Sequence, residues 1–148
     1  MGWATGPAHL IDGVAAAHQF LTFSTPAPFQ RAVAEALDGL APTFYEELRR
    51  EYRGRRDLLL ETLAVCGFDV ASPEGSYFAM CRLPSDFEGD DRDFARFMAE
   101  EVGVAVIPPS PFYSSAPEEG ARLSRIAFCK REETLREAAD RLERRFAS

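Results

Sequence analysis

Apolar side chains recur at helical spacing in the first half of the chain and again at its end. The spacing predicts four helices: Leu10 to about Phe20, about Pro28 to Leu40, Tyr45 to about Gly67, and about Arg131 to Phe146. Prolines and glycines mark several of these limits, because proline suits a first helical turn and glycine suits the left-handed residue after a helix. The third stretch therefore predicts one long helix that ends at Gly67.

The region between the third and fourth helices predicts alternating strands and helices. Its predicted elements are a strand at Ser76 to Leu83, a helix at Asp91 to Val102, a strand at Val104 to Ile107 and a strand at Arg122 to Cys129. In the last strand, Ile126 and Phe128 lie on one face, and Arg125 lies on the other. The pattern predicts an α/β chain.

Arg125 is the residue of this strand whose side chain is best suited to bind a ligand. Its planar guanidinium can bind a carboxylate through two parallel hydrogen bonds, and a strand holds such a group rigidly. An ordinary solvent-exposed arginine on an edge strand is the alternative interpretation. The neighbouring sequence phrases favour the first.

Composition excludes several classes of function. The chain has 148 residues, 46% hydrophobic content and 12 phenylalanines, which is typical of a packed domain. Its formal net charge of −7 argues against a nucleic-acid partner. The 3 cysteines and 2 histidines form no metal-ligand pattern, and no apolar run is long enough to cross a membrane. Reduced thiols and the absence of a signal-like segment predict a cytoplasmic protein.

Three phrases occur in order along the second half of the chain: residues 73–78 (PEGSYF), 106–113 (VIPPSPFY) and 125–130 (RIAFCK). With residues 2–10 (GWATGPAHL), they resemble the C-terminal part of fold-type I, pyridoxal-phosphate-dependent class I/II aminotransferases. The kynurenine and methionine aminotransferases and the cysteine-conjugate β-lyases are the most similar branch. The resemblance spans nearly the whole chain.

This resemblance implies an architecture and a reaction. Residues 1–40 correspond to a helical remnant of the large, cofactor-binding domain, and residues 41–148 correspond to the C-terminal small α+β domain with its long connecting helix. The family uses pyridoxal 5'-phosphate to transfer an amino group between an amino acid and a 2-oxo acid, and it forms homodimers. We therefore expect amino-acid and 2-oxo-acid substrates and a homodimer.

Two residues receive substrate-binding roles by resemblance. Arg125 corresponds to the arginine that binds the substrate α-carboxylate. Phe23 corresponds to an aromatic residue that reaches the neighbouring subunit's active site, although a loop aromatic packed on its own core is an equally open interpretation. Tyr77 and Phe112 lie in family phrases and are interpreted as mainly structural.

The resemblance assigns no catalytic, cofactor-binding or metal-binding residue to this chain. In the family, the Schiff-base lysine and the phosphate-binding arginine lie upstream of the position of Met1. The single lysine, Lys130, closes the Arg125 strand and is a poor Schiff-base candidate. We therefore expect an aminotransferase segment that is inactive alone and whose activity belongs to a longer chain or requires a missing part. The alternative is a short, non-catalytic module that binds carboxylates or pairs with another subunit.

Overall fold

The computed structural model describes residues 1–147. They fall into two compact units, Met1–Tyr45 and Glu46–Ser148, of which the second is described as far as residue 147. The division lies within the third helix, slightly beyond the boundary predicted at position 40. Each unit is considered by itself.

The first unit is helical. It contains α1 (Ala8–Leu21) and α2 (Ala27–Gly39), as the apolar spacing predicts, and a proline occupies the first turn of α2. Neither helix has a buried residue. The exposed large apolar side chains of these helices are Leu10, Val14, Phe20, Leu21, Phe29 and Leu37. The first unit therefore presents much of its apolar surface to solvent.

The long helix α3 (Pro42–Val65) ends as predicted. Gly67 has φ 77°, a left-handed conformation that glycine adopts without steric cost. The N–H of Phe68 donates to the Leu63 carbonyl, and the N–H of Gly67 donates to the Ala64 carbonyl. This pair of bonds satisfies the last carbonyls of the helix.

The second unit is built on a three-stranded antiparallel sheet in the order β1-β2-β3. The strands are β1 (Val70–Ala71), β2 (Phe78–Arg82) and β3 (Leu123–Ala127), and helices α4 (Asp91–Phe97), α5 (Pro117–Gly120) and α6 (Glu132–Phe146) accompany them. The core lies between the sheet and the helices. Its fully buried members include Leu63, Cys81, Phe94, Met98, Phe128 and Leu142.

Several predicted elements differ from the structure. The predicted strand at residues 104–107 is wrong: Ile107 alone forms an isolated bridge, to Arg125. The two prolines that follow lack N–H groups and cannot extend a ladder. The helix predicted to reach Val102 is α-helical only to Phe97 and continues as a π-helical turn. The two-residue strand β1 had no periodicity from which to predict it.

Candidate functional site

The backbone of Arg125 is hydrogen-bonded on both sides. Arg125 is paired with Met80 of β2, and on its other side its N–H and its carbonyl each form a 3.0 Å bond with Ile107. The strand that carries Arg125 is the last strand of the sheet, and at Arg125 an isolated bridge to Ile107 covers its outer side. Ser124 and Ile126 are buried, whereas Arg125 is half-buried, so its side chain lies on the face opposite the core. The face predicted for Arg125 is confirmed.

Two aromatic rings flank the Arg125 guanidinium. Its central carbon lies 4.9 Å from the centroid of the Phe78 ring and 5.0 Å from the centroid of the Phe112 ring. Both distances are within the range of a cation–π interaction. Among residues 1–147, no ion pair or side-chain hydrogen bond involves Arg125. Aromatic faces hold the cation, and its N–H groups keep their capacity to bind an anion.

The turn that carries Phe112 is fixed from two directions. The Ser110 N–H donates to a carboxylate oxygen of the buried Asp91 at 2.6 Å, which ties the 3-10 turn Ser110–Phe112 to the start of α4. Gly120 lies against the same turn, since a Cβ atom there would come within 2.7 Å of the Ser110 Cα. Phe112 is 65% exposed, so its contact with Arg125 depends on this backbone support rather than on burial of the ring.

Parts of this arrangement are not predictable from the sequence. Phe112, which its family phrase marks as mainly structural, is exposed and contacts the candidate arginine. Phe78 and Asp91 were not singled out as functional residues. Phe78 lies within one of the family phrases, which was the available signal, but the register that brings it to Arg125 joins residues distant in sequence. Nothing in the local sequence of Asp91 indicates its bond to Ser110.

Phe23 lies in the first unit and Arg125 lies in the second, so each is described by itself. It follows α1 with φ 63°, a conformation that non-glycine residues seldom adopt, and its N–H donates to the His18 carbonyl at 3.2 Å. Its ring is 81% exposed and lines an open cavity together with Trp3 and Gln30. The ring is therefore not buried in a core of the first unit.

Lys130 lacks the buried environment that activates an aldimine-forming amine. It is exposed and lies just after β3. An amine that forms a Schiff base is activated by burial in an apolar pocket or by a neighbouring cation. Lys130 is the single lysine of the chain. The described residues thus do not fit the reactive centre of pyridoxal 5'-phosphate.

Two of the three cysteines are buried and lack the activation that a nucleophilic thiol needs. Burial raises the pKa of the Cys81 thiol to about 12, and burial, followed by the nearby Glu143 carboxylate, raises the pKa of Cys66. Both thiols are therefore protonated near neutral pH, which makes them poor nucleophiles. No cluster of metal-ligating side chains occurs in residues 1–147. Within the same residues, no helix has the length and apolar character to span a bilayer.

Comparison with known proteins identifies the family. The model of class I and II aminotransferases matches residues 1–142. A probable N-succinyldiaminopimelate aminotransferase of Mycobacterium tuberculosis is 43% identical over 96% of this chain, and a kynurenine–oxoglutarate transaminase of Dictyostelium discoideum is 36% identical over 96% of it. The chain belongs to the class I and II aminotransferases.

Solved structures agree with this assignment. The structure of N-succinyldiaminopimelate aminotransferase from Mycobacterium tuberculosis matches 95% of this chain with a TM-score of 0.81 and 44% identity. The match covers 36% of that protein, and the chain spans 37% of the length of each of the two relatives named above. The predicted fold class, a part of an α/β aminotransferase fold with a small α+β domain, is confirmed.

Proposed function

We propose that this chain supplies the substrate-carboxylate binding part of an aminotransferase that transfers an amino group between an amino acid and a 2-oxo acid. In this proposal, Arg125 binds the α-carboxylate. The observation that carries it is the Arg125 guanidinium, which two aromatic rings hold and which no carboxylate in residues 1–147 neutralises. The family membership supplies the reaction class.

The geometry suits this role for a physical reason. Cations over aromatic rings are attracted to the ring faces, which cannot accept the in-plane hydrogen bonds that a guanidinium donates to a carboxylate. The rings also exclude water from part of the cation, which strengthens its attraction to an incoming anion. A carboxylate fixed in this way has its Cα held in one position. Such positioning is a large part of what a protein contributes to a cofactor-dependent reaction.

Pyridoxal 5'-phosphate is the cofactor that the family implies, and it acts as an electron sink in amino-group transfer. We propose that Lys130 does not form the aldimine, because it is exposed, and that the isolated chain does not turn over substrate. Under this proposal the cofactor-binding lysine belongs to a longer protein or to a partner. The non-catalytic module remains the second candidate, and the exposed position of the single lysine favours it.

We further propose that the functional form is a homodimer in which Phe23 contributes to the partner's substrate pocket. The support is the exposure of the Phe23 ring and its strained backbone, since residues in rare conformations are enriched at functional sites.

A binding measurement tests the role of Arg125. The 148-residue chain is titrated with 2-oxoglutarate while the Nε–H signals of its arginines are followed by NMR. We expect the Arg125 signal to move with saturation, and the Arg125→Lys variant to bind at least tenfold more weakly because lysine lacks the planar fork. Arg82→Lys is the matched control, since Arg82 lies on β2 and its guanidinium is 3.4 Å from Asp69. Equal affinity in Arg125→Lys and the unaltered chain would contradict the proposal.

A further inference from the structure

A second cationic surface lies in the second unit, in the middle of α3. Arg49, Arg53 and Arg56 follow one another at spacings of four and three residues, which places them on one face of the helix. They line a groove of about 480 Å³ whose other members include Tyr52, Tyr77 and Phe128. We call this the α3 groove. Its volume is within the usual range for a small-molecule site.

The charges of the α3 groove are only partly compensated. The Arg56 guanidinium donates to Asp57 at 2.7 Å and to the Pro73 carbonyl at 3.3 Å. Arg49 and Arg53, by contrast, are exposed, and no ion pair in the described part of the chain includes either of them. Like charges four residues apart disfavour a helix slightly. These two guanidinium groups without an ion-pair partner lie in a chain with a net charge of −7.

The walls of the groove are apolar and aromatic. Phe128 is buried at its floor, and the centroid of its ring lies 6.4 Å from that of Tyr52. Tyr77 forms a wall that is 54% exposed. Beside it, Ser76 has φ 70°, and no backbone carbonyl in residues 1–147 accepts from the N–H groups of Gly75 or Ser76. Aromatic surface, free guanidinium groups and free amide donors therefore meet in one cavity.

We propose that the α3 groove binds a small aromatic monocarboxylate, with its ring against Tyr52 and Tyr77 and its carboxylate on Arg49 and Arg53. Glu74 also lines the groove and offsets one positive charge. The remaining balance suits a single negative charge better than the double charge of a phosphate. The aromatic walls provide the contact area that a bare ion would not use.

The α3 groove is separate from the carboxylate site of Arg125. Arg125 and the two rings that flank it, Phe78 and Phe112, do not line the groove. This inference does not depend on the proposed aminotransferase role. Its test therefore uses a chain in which Arg125 is replaced by glutamine, so that the two carboxylate sites are measured independently.

The probe is 2-naphthoate, whose fluorescence is followed during titration with the Arg125→Gln chain. The matched neutral probe is 2-naphthalenemethanol, and inorganic phosphate is the competitor. We expect saturable binding of 2-naphthoate that is at least tenfold tighter than that of the neutral probe and is not displaced by equimolar phosphate. Replacing Arg49 and Arg53 by glutamine should weaken it at least tenfold. Glutamine keeps a high helix propensity, so α3 should persist.

Arg50→Gln is the matched control. Arg50 lies on the same helix and is exposed, but it does not line the α3 groove. Its replacement removes one positive charge, as does each of the single replacements Arg49→Gln and Arg53→Gln, which are measured beside the double variant. Circular dichroism of each variant reports whether α3 is retained. Three results would overturn the proposal: equal affinity for the two probes, equal losses in Arg50→Gln and the Arg49/Arg53 variant, or displacement by phosphate at equal concentration.

Discussion

Among individual residues, the proposed carboxylate site depends on the Arg125 guanidinium and the side chains that contact it. Arg125 is half-buried and contacts two aromatic rings, and these rings differ in their surroundings. Phe78 is part of a strand, whereas Phe112 is mostly exposed on a short turn. The two rings can therefore be separated experimentally, because removal of an exposed ring should change stability little.

Phe112→Ala tests the contribution of the exposed ring. We expect a severalfold loss of affinity for 2-oxoglutarate with a change in unfolding free energy within about 0.5 kcal/mol, because the substitution removes a cation–π contact but little buried surface. Calorimetric titration and denaturant unfolding provide the two values. Phe29→Ala is a suitable control, since that ring is 63% exposed and lies in the first unit. Comparable losses of affinity in both variants would argue against a specific role for Phe112.

The buried thiol of Cys81 predicts a dependence of stability on pH. Its pKa is about 12 in the folded chain, compared with 9.0 for an ordinary cysteine, so only the unfolded state loses this proton at moderately alkaline pH. The contribution of the group to stability is complete below pH 9 and is lost as the pH rises toward 12. Cys81→Ala should therefore flatten the alkaline fall in unfolding free energy. An unchanged slope in that variant would contradict the prediction.

At the scale of elements, the helices were predictable and the site was only partly so. The apolar stripe of α6 and the glycine after α3 are local signals, and both predicted their elements correctly. The sheet register that pairs Phe78 with Ala127 joins distant residues and carries no local signal. Arg125 was found through family phrases, whereas the support of the Phe112 turn by Asp91 became visible only in three dimensions.

Two glycine substitutions test how closely the backbone is packed at α5 and at α3. Gly120→Ala would bring a Cβ atom within 2.7 Å of the Ser110 backbone, so we expect a loss of about 1–3 kcal/mol in unfolding free energy. Gly54→Ala in α3 has open space around its Cβ position and should stabilise the chain by about 0.5–1 kcal/mol. Urea unfolding measures both. An unchanged unfolding free energy in Gly120→Ala would show that α5 is not in close contact with the Ser110 turn.

At the scale of the whole molecule, the exposed apolar side chains of α1 and α2 predict self-association. Contiguous apolar surface of this kind usually marks a partner surface or an aggregation liability. Sedimentation velocity should show species larger than a monomer, with binding of an apolar dye. Replacing Val14 and Leu37 by glutamate, both of which are more than half exposed, should shift the chain toward the monomer. A clean monomer that binds no dye would contradict this prediction.

The exposed position of Lys130 also predicts how the isolated chain reacts with the cofactor. Because Lys130 is exposed, the isolated chain should form no saturable internal aldimine with pyridoxal phosphate, as followed by visible absorbance. Any weak adduct should depend linearly on cofactor concentration. A specific, saturable aldimine that is lost in Lys130→Ala would show that this lysine is activated after all.

Turnover by a hybrid enzyme tests the role of Arg125 in the complete reaction. Residues 1–142 of this chain replace the matching segment in the Mycobacterium tuberculosis relative, and kcat/KM for amino-group transfer is measured with and without Arg125→Lys. We expect an active hybrid whose kcat/KM falls at least 100-fold, about 2.7 kcal/mol, in Arg125→Lys and changes little in Arg82→Lys. A folded, active hybrid with equal kcat/KM in all three forms would contradict the assignment of Arg125.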